Sequence, residues 1–214
     1  MNTLDYILTK FGIKYDDRTK MPIDIPNFGR NQLATLTHEL GFTEGVEIGV
    51  RDGEYSEILC KANPNLKLWG VDPYISYDEY SDIKLHHTFD NYLQTAVKRL
   101  ELFKNRYTFM KEFSETAVKR FKDQSLDFVY IDGNHEFYYV ASDIHYWSKK
   151  IKSGGIIAGH DYSKHDMKHN LCHVYQVINA YTDSRIIRPW FVLGNKAYIE
   201  GEIRDKPRSW MIVI

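Results

Sequence analysis

Cysteine and long hydrophobic runs are both scarce in this sequence. Only two cysteines, Cys60 and Cys172, occur in 214 residues, and they form no CxxC motif, which argues against a disulfide scaffold or a zinc knuckle. No run of about 18 apolar residues is present, so a transmembrane helix is not expected. Residues 1–6 include neither a basic segment nor a long apolar one, which argues against a secretory signal. These absences predict a cytoplasmic protein that has no membrane partner.

An excess of charge of either sign is also lacking. Lysine and arginine number 28 against 29 aspartates and glutamates, so the formal net charge is −1. No basic patch of the kind that binds nucleic acid is visible, and a nucleic-acid partner is not expected. Hydrophobic residues make up 43% of the chain, which is enough for the core of one domain, or of one domain with an appendage.

The pattern of apolar residues changes near residue 42. Before it, Leu33, Leu36 and Leu40 recur at helical spacing, and residues 21–29 are rich in turn-forming types. After it, short apolar runs alternate with helical stretches, which is typical of an α/β domain built on βαβ units. We therefore predict a helical extension over residues 1–42 and an α/β domain over residues 43–214. Seven strands are predicted, at residues 45–50, 66–71, 107–113, 126–131, 154–159, 190–193 and 209–214.

Charged and imidazole groups follow two successive predicted strands. Asp132 and His135 come directly after strand 126–131, while His160 and Asp161 come directly after strand 154–159. In an open parallel sheet, ligands bind at the carboxyl ends of the strands. A single strand-end aspartate often belongs only to a turn or a helix cap, and a single histidine often lies on the surface. The joint occurrence of all four residues instead predicts one catalytic crevice.

Glycines and carboxylates follow the first two predicted strands. Glu47, Gly49 and Gly53 form an acidic-x-Gly-x-x-x-Gly pattern directly after the first strand, and glycine lets a backbone turn tightly and approach a ligand closely. The spacing differs from the GxGxxG fingerprint of dinucleotide sites, which argues against a nicotinamide-dependent reductase. Asp72 ends the next strand, where a carboxylate can accept both hydroxyls of a ribose.

Residues 47–53 resemble motif I of class I S-adenosylmethionine-dependent methyltransferases, and Asp72 resembles the ribose-binding acid of these enzymes. The Asp-Gly-Asn-His and Gly-His-Asp-Tyr segments, at residues 132–135 and 159–162, resemble the small O-methyltransferase family that includes macrocin-type sugar methyltransferases. The resemblance extends over about residues 43–175. It implies an α/β, Rossmann-like fold with a mostly parallel seven-stranded sheet and helices on both faces.

The resemblance also implies how a cofactor is held. Glu47, Gly49 and Gly53 would line the methionine end of S-adenosylmethionine, and Asp72 would hold the ribose. Phe113 and Ser114, at the third strand end, would lie near the adenine. Ser114 can alternatively be the N-cap of the following helix, and the two roles can coexist. The expected cofactor-binding residues are therefore Glu47, Gly49, Gly53, Asp72, Phe113 and Ser114.

Methyl transfer to a hydroxyl requires that the hydroxyl lose its proton as it attacks. A divalent metal can lower the pKa of a bound hydroxyl, and a nearby base can take the proton. The resemblance assigns Asp132 and Asp161 as ligands of Mg²⁺ or a similar ion and His135 as the base. His160 stands beside Asp161, where related enzymes have an acidic group or an amide. It would either favour a transition metal as a third ligand or bond to substrate without a metal.

The expected acceptor is a hydroxyl of a sugar or another small molecule. The aromatic tract at residues 74–80 is predicted to form a lid or a pocket wall. A non-catalytic cofactor-binding module that serves a partner enzyme is the alternative function. A homo-oligomer is left open, because N-terminal helices often form dimer contacts in related enzymes.

Overall fold

The computed structural model of the protein describes residues 1–75, 86–164 and 172–214. Three short 3₁₀ segments lie at residues 101–103, 118–120 and 148–150. No helix in the described ranges is long and apolar enough to cross a membrane. The helices are α1 (Thr3–Phe11), α2 (Arg30–Glu39), α3 (Glu54–Ala62), α4 (His86–Leu100), α5 (Ser114–Ala117), α6 (Phe137–Trp147) and α7 (Val174–Ser184). The strands are β1 (Ile23–Ile25), β2 (Glu44–Ile48), β3 (Lys67–Val71), β4 (Tyr107–Met110), β5 (Leu126–Ile131), β6 (Ile151–Tyr162), β7 (Phe191–Leu193) and β8 (Arg208–Val213).

The strands form a single sheet in the order β1-β7-β8-β6-β5-β2-β3-β4. Strand β8 is antiparallel to both of its neighbours, β6 and β7, and the other strand pairs are parallel. The predicted α/β class and the mostly parallel sheet are therefore confirmed. Strands β6, β5, β2 and β3 are parallel and stand next to one another in this order. Their carboxyl ends therefore meet at the same edge of the sheet.

Within the described residues the sheet has eight strands, so the prediction of seven was wrong by one. The additional strand is β1, which pairs in parallel with β7 through Ile23 and Phe191. It lies within residues 21–29, which we expected to form only a turn between helices. Pro22 and Pro26 flank it, and proline is tolerated at the edge of a sheet, where one side of the strand needs no partner. A three-residue strand of this kind depends on its distant partner rather than on its own sequence.

The sheet carries a hydrophobic core on each face. Along β5, Val129 and Ile131 point into a core shared with α6 and α7, while Phe128 and Tyr130 point into a core shared with α1, α2 and α3. This alternation is the period of two that a strand buried on both faces requires. The segment before residue 42 contributes Ile7 and Leu33, among others, to the second core, so it packs directly on the sheet.

Candidate active site

The carboxyl ends of the central strands line a cavity of about 800 Å³. The residues predicted from the sequence that line it are Glu47, Gly49, Asp72, Phe113, Ser114, Asp132, His135, His160 and Asp161. Gly53 does not line the cavity. It packs against α4, where a Cβ atom would be 3.2 Å from the Cα of Ala96. The structure thus brings the two predicted groups of residues, after β2 and β3 and after β5 and β6, into one cavity.

Gly49 is where the chain leaves β2, and its backbone has a φ of +85°. A Cβ atom at this position would overlap the carbonyl of Asp132 at the end of β5. The glycine therefore meets two requirements, a left-handed conformation and a close approach between two strand ends.

We expect Gly49→Ala to lower the free energy of unfolding by about 3 kcal/mol or more, because the left-handed backbone and the overlap with Asp132 both oppose the methyl group. Gly41→Ala is the matched control, since Gly41 has a φ of +71° but nothing within 4 Å of a Cβ atom. That variant should lose only about 1 kcal/mol. Urea denaturation of both variants gives the comparison. Equal losses would show that the approach of Gly49 to β5 is unimportant.

Glu47 is buried at the end of β2, with 1% of its surface exposed. The Ser56 hydroxyl donates a hydrogen bond to its carboxyl group, and the Ser56 oxygen lies 2.9 Å from the Tyr107 hydroxyl. Burial raises the pKa of Glu47 to about 8, although the hydrogen bond from Ser56 acts in the opposite direction. The carboxyl group is therefore predominantly neutral at pH 7 in the protein without ligands.

This raised pKa makes the stability of the protein depend on pH. The pKa of Glu47 in the folded state, about 8, lies above its ordinary value of 4.5. Its contribution to stability is therefore fully present below pH 4.5 and is lost as the pH rises through 8. We expect Glu47→Gln to be as stable as the wild type near pH 5 and more stable at pH 9, by an amount on the order of 2–4 kcal/mol. Thermal unfolding of both proteins across this pH range checks the prediction. Plots of stability against pH that run parallel for the two proteins would contradict it.

Asp72 follows β3, and the backbone holds its carboxylate in place. The backbone N–H of Arg51 donates to Oδ2 at 2.9 Å, and the N–H of Tyr74 donates to Oδ1 at 2.8 Å. Burial raises the pKa of Asp72, while these backbone hydrogen bonds oppose the shift. Each carboxylate oxygen has a second lone pair, so the group can still accept hydrogen bonds from a ligand while its orientation stays set.

Ser114 is the first residue of α5, and Phe113 precedes it as the N-cap. The Ser114 hydroxyl does not cap the helix; it donates to Asp143 and accepts from Trp147 Nε1 at 2.8 Å. Burial raises the pKa of Asp143 to about 7. Ser114 and Asp143 both line the cavity. Asp143 was not predicted from the sequence, because it lies within the buried face of α6 and not directly after a strand.

The four residues after β5 and β6 lie within contact distance of one another. His135 Nε2 is 3.2 Å from Asp161 Oδ2 and 3.6 Å from Asp132 Oδ1. His160 Nδ1 is 3.1 Å from the same oxygen of Asp161 and 4.0 Å from Asp132 Oδ1. Asp161 has a φ of +59°, a conformation that aspartate adopts more readily than most residues. The predicted crevice is thus a compact cluster of two carboxylates and two imidazoles.

The opposite charges in this cluster stabilise one another. Burial disfavours the charged form of His160, but the hydrogen bond to Asp161 and the nearby carboxylates of Asp205 and Asp132 outweigh it and raise the pKa of His160 to about 9. Burial likewise opposes the charge on Asp161, yet the hydrogen bond from His160 and the nearby His135 lower the pKa of Asp161 to about 2. Asp161 is therefore a carboxylate at neutral pH.

Two residues that the sequence did not suggest complete the cluster. Arg30, at the start of α2, lines the cavity with Nη1 3.5 Å from Asp132 Oδ2. Asp205 lies behind the cluster, with Oδ1 3.8 Å from His160 Nε2 and Oδ2 accepting from Ser209 at 3.0 Å. Both lie outside the strand-end segments that carry the recognisable pattern, so only the folded chain reveals them.

The cluster has ligands suited to a divalent ion. One ligand atom each from Asp132, His160 and Asp161 lie within 4.8 Å of one another. Two carboxylate oxygens and one imidazole nitrogen form a set that binds Mn²⁺, Fe²⁺ or Zn²⁺ more readily than Mg²⁺, which prefers oxygen alone.

In the predicted aromatic wall, Tyr74 is buried and lines the cavity. The rest of that tract, residues 76–80, lies outside the described residues.

The protein has a mostly parallel sheet with an antiparallel strand beside β6, and a cavity at the carboxyl ends of β2, β3, β5 and β6. These two features define a Rossmann-like class I methyltransferase fold. A family model described as a methyltransferase domain matches residues 46–162, which is more than half of the chain. The chain therefore belongs to the methyltransferase domain family. The predicted class, a S-adenosylmethionine-dependent methyltransferase of class I, is confirmed.

Solved structures agree with this fold at low sequence identity. The O-methyltransferase from Bacillus cereus in complex with SAH is 15% identical, with a TM-score of 0.60, over 99% of this chain and 90% of that one. The O-methyltransferase TomG from Streptomyces achromogenes, in complex with SAM, is 14% identical, with a TM-score of 0.59, over 99% and 96%. The SAH-bound methyltransferase PaMTH1 from Podospora anserina is 12% identical, with a TM-score of 0.55, over 86% and 77%. A search of curated proteins finds no match to the chain.

Proposed function

We propose that the protein transfers a methyl group from S-adenosylmethionine to a hydroxyl of a small acceptor, with a divalent metal as aid and His135 as general base. One observation carries the proposal. His135 lies 3.2 Å from Asp161 and 3.6 Å from Asp132, in the same cavity that Gly49 and Asp72 line. A base, a pair of carboxylates and a cofactor pocket therefore share one space.

The end of the cavity after β2 and β3 fits the cofactor. The absence of a side chain at Gly49 lets the two strand ends close up, and the carboxylate of Asp72 is oriented in advance by two backbone donors. We assign the ribose hydroxyls to Asp72 and the methionine end to Glu47 and Gly49. Phe113 and Ser114 would lie toward the adenine, and Gly53 would act indirectly by packing α3 against α4. The bound cofactor supplies a methyl group on a sulfonium, which is open to attack by an oxygen nucleophile.

The other end of the cavity fits a hydroxyl that must be deprotonated. Asp132, His160 and Asp161 would hold the divalent ion and bring the acceptor oxygen beside His135, whose imidazole takes the proton. Asp161, whose pKa is lowered to about 2, stays negative and stabilises the imidazolium that forms. His160 must lose its own proton to bind an ion, so proton and metal compete at this residue.

A sugar or a similar polyhydroxyl compound is the acceptor class that we propose. The cavity is lined by several tyrosines, including Tyr92, Tyr138 and Tyr139, whose rings can pack on a sugar face while their hydroxyls bond to it. Transfer to oxygen is also supported by the similar solved structures, two of which are described as O-methyltransferases. A cytoplasmic location and a homo-oligomeric state remain predictions from the sequence.

Two measurements test the proposal. S-adenosylhomocysteine should raise the thermal midpoint of the protein in a concentration-dependent way, whereas NAD should not. A panel of sugars and phenols, with S-adenosylmethionine and Mg²⁺ or Mn²⁺, should then reveal methyl transfer that EDTA reduces. Cofactor binding without turnover on any acceptor would favour the non-catalytic module. No thermal shift with S-adenosylhomocysteine would reject the proposal altogether.

A further inference from the structure

Cys172 lies against the active-site cluster, at the start of the segment that leads into α7. Its Sγ donates a hydrogen bond to the backbone carbonyl of Asp161 at 3.6 Å. The next residue is tied to the loop that carries the proposed base, because the N–H of His173 donates to the carbonyl of His135 at 2.7 Å. The Phe137 N–H in turn donates to His173 Nδ1 at 3.0 Å. These bonds hold the thiol beside His135 independently of any ligand.

The side chains of His135, Asp161 and Cys172 have the geometry of a metal site. One ligand atom from each lies within 4.8 Å of the others, and each residue is partly buried. Four-coordinate zinc has bonds of about 2.0–2.3 Å, which separate neighbouring ligand atoms by roughly 3.5 Å. The distance of 3.2 Å between His135 Nε2 and Asp161 Oδ2 is already close to that separation. Small side-chain rotations of Cys172 would complete the set.

The chemistry of these three ligands differs from that of the cluster described above. Asp132, His160 and Asp161 offer oxygen and nitrogen only, whereas His135, Asp161 and Cys172 add a sulfur. A thiolate strongly favours Zn²⁺ over Mg²⁺, and three protein ligands leave a fourth position open. The two sets share Asp161, and both imidazoles face the same oxygen, Oδ2, so an ion in one set competes for that oxygen with an ion in the other.

We propose that His135, Asp161 and Cys172 form a second, thiophilic metal site, and that Zn²⁺ bound there inhibits the enzyme. The ion takes the Nε2 lone pair of His135, so the imidazole can no longer accept a proton. It also withdraws Asp161 from the ion that assists the reaction. The inhibitory consequence rests on the proposed function, because it requires His135 to be the base; the binding of Zn²⁺ does not.

The binding test compares the wild type with Cys172→Ser, in which a hydroxyl keeps the hydrogen bond to Asp161. The set of Asp132, His160 and Asp161 can also take Zn²⁺, so both proteins carry Asp132→Asn to weaken that set. Calorimetric titration with Zn²⁺ should then show affinity at least about tenfold weaker in the protein with Cys172→Ser. Co²⁺, as a coloured substitute, should give a sulfur-to-cobalt charge-transfer band in the wild type that is absent in Cys172→Ser. The control is Cys60→Ala, which removes the other cysteine, buried in the core, and should keep both signals. Cys172→Ala replaces the serine variant if that protein fails to fold.

The activity test uses the same three proteins with Asp132 kept. Zn²⁺ should inhibit the wild type and Cys60→Ala, while Cys172→Ser keeps its activity at the same Zn²⁺ concentration and is unchanged without it. Equal Zn²⁺ affinity with and without Cys172→Ser in the titrations, or a persisting cobalt–thiolate band, would overturn the site. If Zn²⁺ binds but does not inhibit, the proposal that the site includes the catalytic base His135 is wrong. If no acceptor is methylated, the proposed function fails, and the titrations still decide the metal site by themselves.

Discussion

Replacing His135 with alanine is expected to reduce kcat/KM for methyl transfer by between about a hundredfold and ten-thousandfold, the usual contribution of a general base. Its imidazole is 3.2 Å from Asp161, which orients it and stabilises its charged form. No other imidazole lies as near to both Asp132 and Asp161 among the described residues except His160, whose pKa is raised to about 9. His160 cannot take over as the base: without an ion it is protonated at neutral pH, and with an ion its lone pair is bound to the metal.

The affinity for S-adenosylhomocysteine should stay near the wild-type value in this variant, since we assign His135 to the acceptor and Asp72 to the cofactor. Single-turnover kinetics and calorimetry measure the two quantities separately. His38→Ala is the matched control, because His38 is exposed on α2 and should leave both quantities unchanged. Full activity in His135→Ala would rule out His135 as the base. Loss of cofactor binding in that variant would mean that the cofactor and acceptor ends of the cavity are wrongly assigned.

Replacing Asp72 with alanine is expected to weaken binding of S-adenosylhomocysteine by at least about a hundredfold. The two ribose hydroxyls would lose a charged acceptor, and each such hydrogen bond contributes about 1.5–3 kcal/mol. The backbone N–H groups of Arg51 and Tyr74 would also lose their acceptor, which loosens the turn beside the cofactor. Turnover at saturating cofactor should change much less than affinity, because the role proposed for Asp72 is to hold the ribose and not the acceptor.

Calorimetry with S-adenosylhomocysteine measures this loss directly. Asp52→Ala is the control, because Asp52 is a neighbouring carboxylate that lines the same cavity but pairs with Arg99 at 3.5 Å. Its affinity should remain close to that of the wild type. A loss of affinity of the same size in both variants would point to general electrostatics in an acidic cavity rather than to a specific ribose contact.

Local sequence pattern was sufficient for most of the elements. Strand β5 spans residues 126–131, as predicted, and β3 spans residues 67–71, where residues 66–71 were predicted. These elements are dense in apolar residues with a clear period and have glycine or polar residues at their ends, so each is specified by its own residues. Strand β1 was missed because its three residues carry no such pattern and are stabilised by pairing with β7.

The candidate site divides in the same way. Residues directly after strands could be predicted, since parallel strands that are neighbours must present their carboxyl ends together. Arg30, Asp205 and Cys172 come from three segments outside the strand ends. Nothing in the spacing of the sequence relates them to Asp132, His160 or Asp161, and only the packing of α2, the segment before β8 and the start of α7 brings them there.

The sequence alone therefore determined the α/β class, the methyltransferase motifs and the residues at the strand ends, because those depend on local pattern and on the rule that parallel strands end together. The tertiary structure alone decided the eighth strand and the surroundings of those residues. It set which carboxyl groups are neutral and which charged, because burial and distance act through space. It also placed a thiol beside His135, the proposed base, by hydrogen bonds between segments more than thirty residues apart.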